Sequence, residues 1–248
     1  MAKDLIISTW NQVDEIPRHG PRDSFRRESR QKLLNGLFAW LFLFAGPLQF
    51  SELSVAGEVL VNGSAGRVDR VVFTIDDVRF FLNIARLKDG QSDLQEVSDR
   101  DLLFQMTQKM LFEEMVLSEM RTLKIEGGNR SVAQLRLQEI RKRVGGEILK
   151  RLLARYRKAE AAVLNQLQRA IDVEKFLEKK VETLTPVLTE AEAERYFKEN
   201  LSKFGGATLE SIKPAVMRMA QKSQMEKGLQ DWITLLKEKH GVVNLIEK

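Results

Sequence analysis

Apolar positions recur along the chain in two rhythms, and the switch between them predicts its elements. Two β-branched runs, Val59–Val61 and Val68–Ile75, flank Asn62-Gly63-Ser64-Ala65-Gly66, a composition that predicts a hairpin or strand–loop–strand unit. The period then changes. Thr74 and Asp77 have the spacing of a capping box, and Val78, Phe81, Leu82 and Ala85 follow at helical intervals through Leu87. After the loop "KDGQSDLQEV", Ser98 and Asp101 predict a second capped helix from about Asp99 to Lys124. Leu102, Leu103, Met106, Met110 and Met120 fall on one face of it and Phe104, Leu111 and Met115 on the other. A helix apolar on two sides should lie between other elements or carry a face that something else covers.

Gly127-Gly128 closes that section, and Ser131 starts a shorter helix that runs through Arg143 to the break at Gly145-Gly146. From Glu147 to Leu184 there is no Gly or Pro, and Leu149, Leu152, Leu153, Tyr156, Leu164, Leu167, Ile171 and Leu177 keep helical rhythm. That span is long for one globular helix, so a bend is expected near Arg157–Ala159 before Pro186 ends the run. Thr189 and Glu192 form a further capping box for a short helix running into Lys203-Phe204. Beyond Gly205-Gly206, Thr208 to about Lys239 reads as a long helix with Pro214 in its first turns, and Gly241 stops it. The final "VVNLI" is strand-like, and a lone strand is unstable in water. Its evident partners lie between Val59 and Ile75. The expected fold class is therefore mainly α: a helical body with a small antiparallel β-sheet joining the two ends of the mature chain.

Upstream, Arg26, Arg27, Arg30 and Lys32 precede the apolar "LLNGLFAWLFLFAG", then Pro47 and the polar "SELSVAG". This is the layout of a secretory signal, with Ser54 and Ala56 suited to a signal-peptidase cleft before Gly57. The competing reading is an uncleaved anchor, because Leu33–Phe50 approaches the roughly 20 apolar residues that span a bilayer. Asn35, Gly36 and Pro47 interrupt that run and favour cleavage. The sequence thus predicts a leader, 1–56, and one exported domain, 57–248, located in the periplasm. The long mixed-charge stretch 1–32, with Pro17 and Pro21, points to a start codon downstream of Met1.

Composition narrows the chemistry. Among 248 residues there is no cysteine, so disulfides, thiol nucleophiles and zinc-thiolate clusters are excluded, and only His19 and His240 could offer imidazole. The 40 Lys and Arg against 35 Asp and Glu are interleaved through most of the chain, and the resulting +5 names no partner. Asp76-Asp77 and Glu113-Glu114 are adjacent pairs, and helical neighbours point about 100° apart, so neither pair converges on one substrate atom. Asp76-Asp77 instead suits a helix N-terminus. Phosphate loops, metal-ligand spacings and nucleophile elbows are missing, and no catalytic residue, metal or cofactor is expected.

Several segments, in order, resemble the N-terminal chaperone domain of the SurA and PrsA class of exported parvulin-type foldases. "VNG" and "FTIDDVRFF" are similar to that family's strand, Asn-Gly turn and Thr-capped helix, and "LLFQMTQKMLFEEMVLSEMRTLKI" to its alkyl-rich helix ending in Leu-Lys-Ile. "LQRAIDVEKFLEKKV" and "LTEAEAERYFKENLSKF" resemble the segments leading up to the isomerase domain. "TLESIKPAVMRMAQKSQMEKGLQDWITLLKEKHGVVNLI" resembles the helix and strand that return from it. In such proteins a parvulin domain follows the "KF" segment, whereas here Gly205-Gly206-Ala207 joins the two sides directly. The resemblance therefore implies one chaperone domain, built from an N-terminal helical part, 57–204, and a returning helix and strand, 208–248, without isomerase. Two departures stand out: "SAGRVDRVV" lengthens the first strand region, and Arg157-Lys158-Ala159 replaces the family's Gly-Ser or Gly-Thr turn.

The expected function is that of a periplasmic holdase, which covers apolar segments of unfolded exported or outer-membrane proteins without catalysis. Met106, Met110, Met115, Met120, Met217, Met219 and Met225 offer flexible, polarizable side chains for varied clients. Methionines at helical spacing also serve as core filler, as do the phenylalanines and Trp232. The basic stretch Arg141–Lys158 suits acidic clients or anionic lipid headgroups, or is a solvated helical face. Nucleic-acid binding is disfavoured by the export signal. An exported helical scaffold or adaptor with one dedicated protein partner is the alternative, since a two-sided apolar helix serves a fixed interface equally well.

Overall fold

The computed structural model describes residues 63–94 and 98–246, all within the second of two compact units into which the chain divides, Ser51–Lys248. The leader, its Ser54–Ala56 pattern and the Val59–Val61 run lie outside the described residues. The elements are β1 (Ser64–Val68), β2 (Val71–Thr74), α1 (Ile75–Lys88), α2 (Arg100–Thr122), α3 (Arg130–Val144) and α4 (Gly146–Arg155). They continue with α5 (Glu160–Leu184), α6 (Glu190–Glu199), a 3-10 turn (Leu201–Phe204), α7 (Leu209–Lys239) and β3 (Val243–Asn244). The body is mainly helical with one three-stranded antiparallel sheet, as the apolar rhythm predicts.

The hairpin is present but its turn is not where the glycines suggest. β1 and β2 pair antiparallel through Arg67↔Val72 and Val68↔Val71, so the chain reverses at Asp69-Arg70. Asp69 takes φ 52°, a left-handed conformation that Asp adopts more readily than most residues. Ser64 to Gly66, expected in a loop, belong to β1. Gly66 is there because of a close approach: a Cβ would lie 3.0 Å from Thr107 Cγ2, 3.0 Å from the Val243 carbonyl and 3.1 Å from Leu111 Cδ2. Its lack of a side chain lets α2 and β3 both close on β1.

The terminal strand pairs with the first one. β3 lies against β1 with Gly66↔Asn244 and Arg67↔Val243, giving the order β2-β1-β3. The Leu245 N–H extends the pairing to the Ala65 carbonyl at 2.9 Å, and Ile246 is buried. At the end of α7, buried His240 meets the hairpin turn twice: its carbonyl accepts from Asp69 N–H at 3.2 Å, and its Nδ1 lies 2.9 Å from Asp69 Oδ2. The ends close on each other as expected.

α2 is the central helix. It packs on α1, α5, α7 and the sheet, and every residue from Met110 to Leu117 is buried, which explains its apolar character on two sides. Its N-cap is Asp99, whose carboxylate accepts from Leu102 N–H at 3.1 Å, one residue beyond the expected Ser98. Lys239 pairs with Glu119 to join the far ends of α7 and α2.

The remaining helices pack outward from this axis. α1 starts at the expected capping box, Thr74 with Asp77. Phe80, Ile84 and Leu87 of α1 share a buried cluster with Leu137 and Ile140 of α3, Leu149 and Leu152 of α4, and Val163, Leu167 and Ile171 of α5. The expected bend at Arg157–Ala159 is a complete break between α4 and α5, with Arg157 at φ 50°. α5 also packs on α7, where Phe176 lies 5.9 Å from Trp232 between ring centroids and Lys180 sits 5.2 Å over the same indole.

Gly66→Ala is expected to destabilise the protein by about 1–3 kcal/mol, because the added methyl overpacks a contact closed on three sides. Urea denaturation measures it, and an unchanged midpoint would contradict the close-approach role. Deleting Gly241–Lys248 removes the β3 ladder and the burial of Ile246, so the melting transition should shift as one cooperative unit. A truncated protein that melts like the intact one would show the terminal strand to be dispensable.

Candidate client-binding surface

The seven methionines separate by burial. Met110, Met115 and Met120 are buried in α2 and Met225 in α7, all four part of the core. This is the core-filling role, and it follows from the enclosure of α2 by its neighbours. Met106 and Met217 are half-buried, and Met219 is 39% exposed on α7. Of the seven, Met219 alone is exposed.

Exposed apolar side chains are spread over the described residues, with Val71, Val72 and Leu245 at the sheet and Leu123, Leu135 and Leu235 on or at the ends of helices; three more, Val187, Leu201 and Met219, lie on or beside α6, the 3-10 turn and the first half of α7. Val187 is 95% exposed and Leu201 56%. Sequence reasoning passed over both because they lie outside the helical rhythm, one after Pro186 and one after the end of α6. The signal available was their place in short connecting segments, Val187 directly after Pro186 and Leu201 between polar Asn200 and Ser202 shortly before Gly205-Gly206.

The scaffold beneath them is well specified. Thr189 caps α6, with Glu192 accepting from its backbone N–H and hydroxyl, both at 2.8 Å. Those two bonds hold the Glu192 carboxyl below its usual range. Lys213 of α7 donates to Glu190 at 2.6 Å, lowering the Glu190 carboxyl and raising the ammonium. Ala193 of α6 and, in the first half of α7, Val216 and Ala220 are buried. Gln221 donates to the Pro186 carbonyl at 2.8 Å and so fixes the strand of chain that carries Val187. Phe197 and Phe204 stack with centroids 5.1 Å apart, and Gly205 and Gly206, at φ 56° and 83°, turn the chain directly into α7. A Cβ on either glycine would meet nothing within 4 Å, so the junction lies in open space.

The adjacent acidic pairs have structural partners. Asp77 is in the α1 capping box and accepts from Lys158 at 2.7 Å; although burial works against it, these bonds hold its carboxyl below the usual value. Asp76 pairs with Arg79 at 3.5 Å. Glu113 and Glu114, expected only to diverge, are both buried in α2. Glu114 lies between Arg121 at 2.7 Å and Arg169 at 2.8 Å. Glu113 faces Lys109, Arg169, Gln166 and Lys88, but desolvation outweighs these and pushes its carboxyl above the usual range. Among the described residues its Oε2 has no hydrogen-bond partner. No cluster of three or more potential metal ligands occurs among the described residues, and no described helix is long and apolar enough to cross a membrane. No family model matches the chain, and neither does any curated protein.

The raised Glu113 carboxyl has a defined signature. Its unfolded value is near 4.5 and its folded value is higher, so its contribution is fully present below 4.5 and is lost as pH rises through the folded value. Glu113→Gln should therefore raise stability at neutral pH and remove the decline over that window, measured by urea denaturation across pH. A pH profile unaltered by the substitution would contradict a raised Glu113 carboxyl in the fold.

Proposed function

We propose that the protein is a periplasmic holdase chaperone that binds unfolded exported or outer-membrane proteins without isomerase catalysis. The observation that carries this reading is the apolar exposure at Val187, Leu201 and Met219, on or beside the α6–α7 segment. Such side chains offer reversible apolar contact at about 25 cal/mol per Å² covered, enough in aggregate to hold an extended chain and too little at each point to trap it. The ordered resemblance of five segments to SurA-type chaperone domains supports the same reading. So does the direct Gly205-Gly206 junction, where the related foldases carry their catalytic domain.

The test is suppression of aggregation for several unrelated unfolded outer-membrane proteins and one soluble protein, with the Val187→Ser, Leu201→Ser and Met219→Ser triple variant alongside. The protein should protect several clients, and the variant should lose protection several-fold while its melting temperature stays nearly unchanged, since exposed substitutions shift stability by about 0.5 kcal/mol or less. Protection of none would favour an adaptor with one dedicated partner. In a proline-limited refolding assay the rate should remain that of spontaneous isomerisation, on the order of tens to hundreds of seconds. Acceleration in a preparation free of other isomerases would overturn the non-catalytic reading.

A further inference from the structure

We propose that the corner formed by the end of α3, by α4 and by the turn at 156–159 is a docking surface for membranes rich in anionic lipid headgroups. Charge is segregated here. Residues 130–158 hold ten Lys or Arg against Glu139 and Glu147, while the rest of the chain holds thirty against thirty-three.

The structure sorts the ten by what they meet. Arg136, Arg141, Lys150 and Lys158 are paired with Glu174, Glu160, Glu147 and Asp77, and Arg130 donates to Asn165 Oδ1 at 3.4 Å. Arg143 and Arg155 donate instead to main-chain carbonyls, Lys88 O at 2.6 Å and Leu94 O at 2.7 Å, so their charge is not neutralised. Lys142, Arg151 and Arg157 are exposed and make no ion pair among the described residues. Arg143, Arg151 and Arg155 share one region, with Lys142 beside Arg143 in sequence and Arg157 two residues beyond Arg155. Arg143 and Arg155 grip the two ends of the same crossing segment, Lys88–Leu94, and Arg151 and Arg155, one turn apart on α4, line one cleft with Ser92 and Asp93. Against them stand Asp89 and Asp93 of that segment. A basic residue at the C-terminal end of α3 complements the helix dipole, but that does not explain Arg151 within α4 or Arg157 in the turn.

The shape favours a surface over a chain. The cleft has a volume of about 270 Å³, too small to seat a polypeptide segment, and Lys142, Arg143, Arg151, Arg155 and Arg157 are all exposed. Exposed cations complement a plane of anionic headgroups, each adding to the attraction near the surface. Tyr156, the aromatic residue of this corner, is engaged inside, edge-on to Phe80 at 5.6 Å and hydrogen-bonded to Asn83, and so offers no ring for stacking a nucleobase. The exposed residues of α6–α7 lie at the other end of α5: Arg141 meets Glu160 at its start, while Leu184 lies against Gly228 near its end. A helix of this length spans about 37 Å, so a docked corner leaves that surface clear of the bilayer.

The test is vesicle co-sedimentation of the full chain, comparing the Lys142→Gln, Arg151→Gln, Arg157→Gln triple variant with a control triple, Lys203→Gln, Arg218→Gln, Lys237→Gln. Any anchoring by Leu33–Phe50 is common to all of them. On phosphatidylglycerol–phosphatidylethanolamine vesicles the first variant should partition more weakly by on the order of a hundredfold, the control should not, and added salt should release the wild type. Phosphatidylcholine vesicles should not distinguish the proteins. Lys142→Arg, Arg151→Lys, Arg157→Lys should retain binding, which separates loss of charge from loss of fold. Equal partitioning of the wild type and the Gln variant, or equal loss in the control, overturns the proposal. Polyglutamate or RNA binding that needs these residues while vesicle binding does not would overturn it in favour of an acidic polypeptide or a nucleic acid.

Discussion

The body depends on a short antiparallel contact between residues nearly two hundred positions apart in sequence. β1 is the middle strand of its sheet, so β2 and β3 both use its backbone groups, and neither has another described partner. Gly66 sits where three elements converge, and its missing side chain lets the Val243 carbonyl and the Leu111 side chain approach at the same point. The Asp69–His240 contacts then tie the hairpin turn to the end of α7. Because α7 also packs on α5 and α6, the sheet determines where the whole second half of the body can lie.

Around that closure, α2 works as an enclosed axis that carries charge as well as apolar bulk. Glu114 is compensated by two guanidinium groups from different directions, one of them Arg169 on α5, so an ion pair crosses the α2–α5 contact. Breaking such a buried pair on one side commonly costs about 3–5 kcal/mol, although the intact pair contributes little net stability. Glu113 takes the other solution available to a buried acid, a raised carboxyl. The two neighbours thus differ in chemistry because adjacent helical positions face different surroundings.

Most of the architecture was legible because capping boxes and glycine breaks are local signals. Thr74 with Asp77 and Thr189 with Glu192 form the reciprocal bonds their spacing predicts, and Arg157 takes the left-handed conformation that separates α4 from α5. The misreadings share a cause: residues able to serve two roles were assigned the local one. Ser98 and Asp99 are both competent N-caps, and the start of α2 selects Asp99. Gly66 resembles a turn glycine, yet it is required by contacts with residues more than forty positions away. Methionine rhythm likewise reports that a helix has an apolar face without reporting what covers it. In α2 the covering elements are α1, α5 and the sheet, which puts Met110, Met115 and Met120 in the core. Val187 and Leu201 were not legible by periodicity because they lie between helices.

The proposed chaperone is thus a body closed by its own ends, with a proposed client surface at one end of α5 and a proposed membrane-docking corner at the other. Its central claim is that the α6–α7 surface, and not the methionine-bearing core, touches unfolded chains. Site-specific photo-crosslinking tests this most directly, with the crosslinker placed in turn at Val187, Leu201 and Met219 and, as exposed controls elsewhere, at Leu123 and Leu135. The account predicts adducts with several unrelated unfolded proteins from the first three positions and few from the controls. Equal adducts from both groups, or adducts to one fixed partner alone, would contradict it.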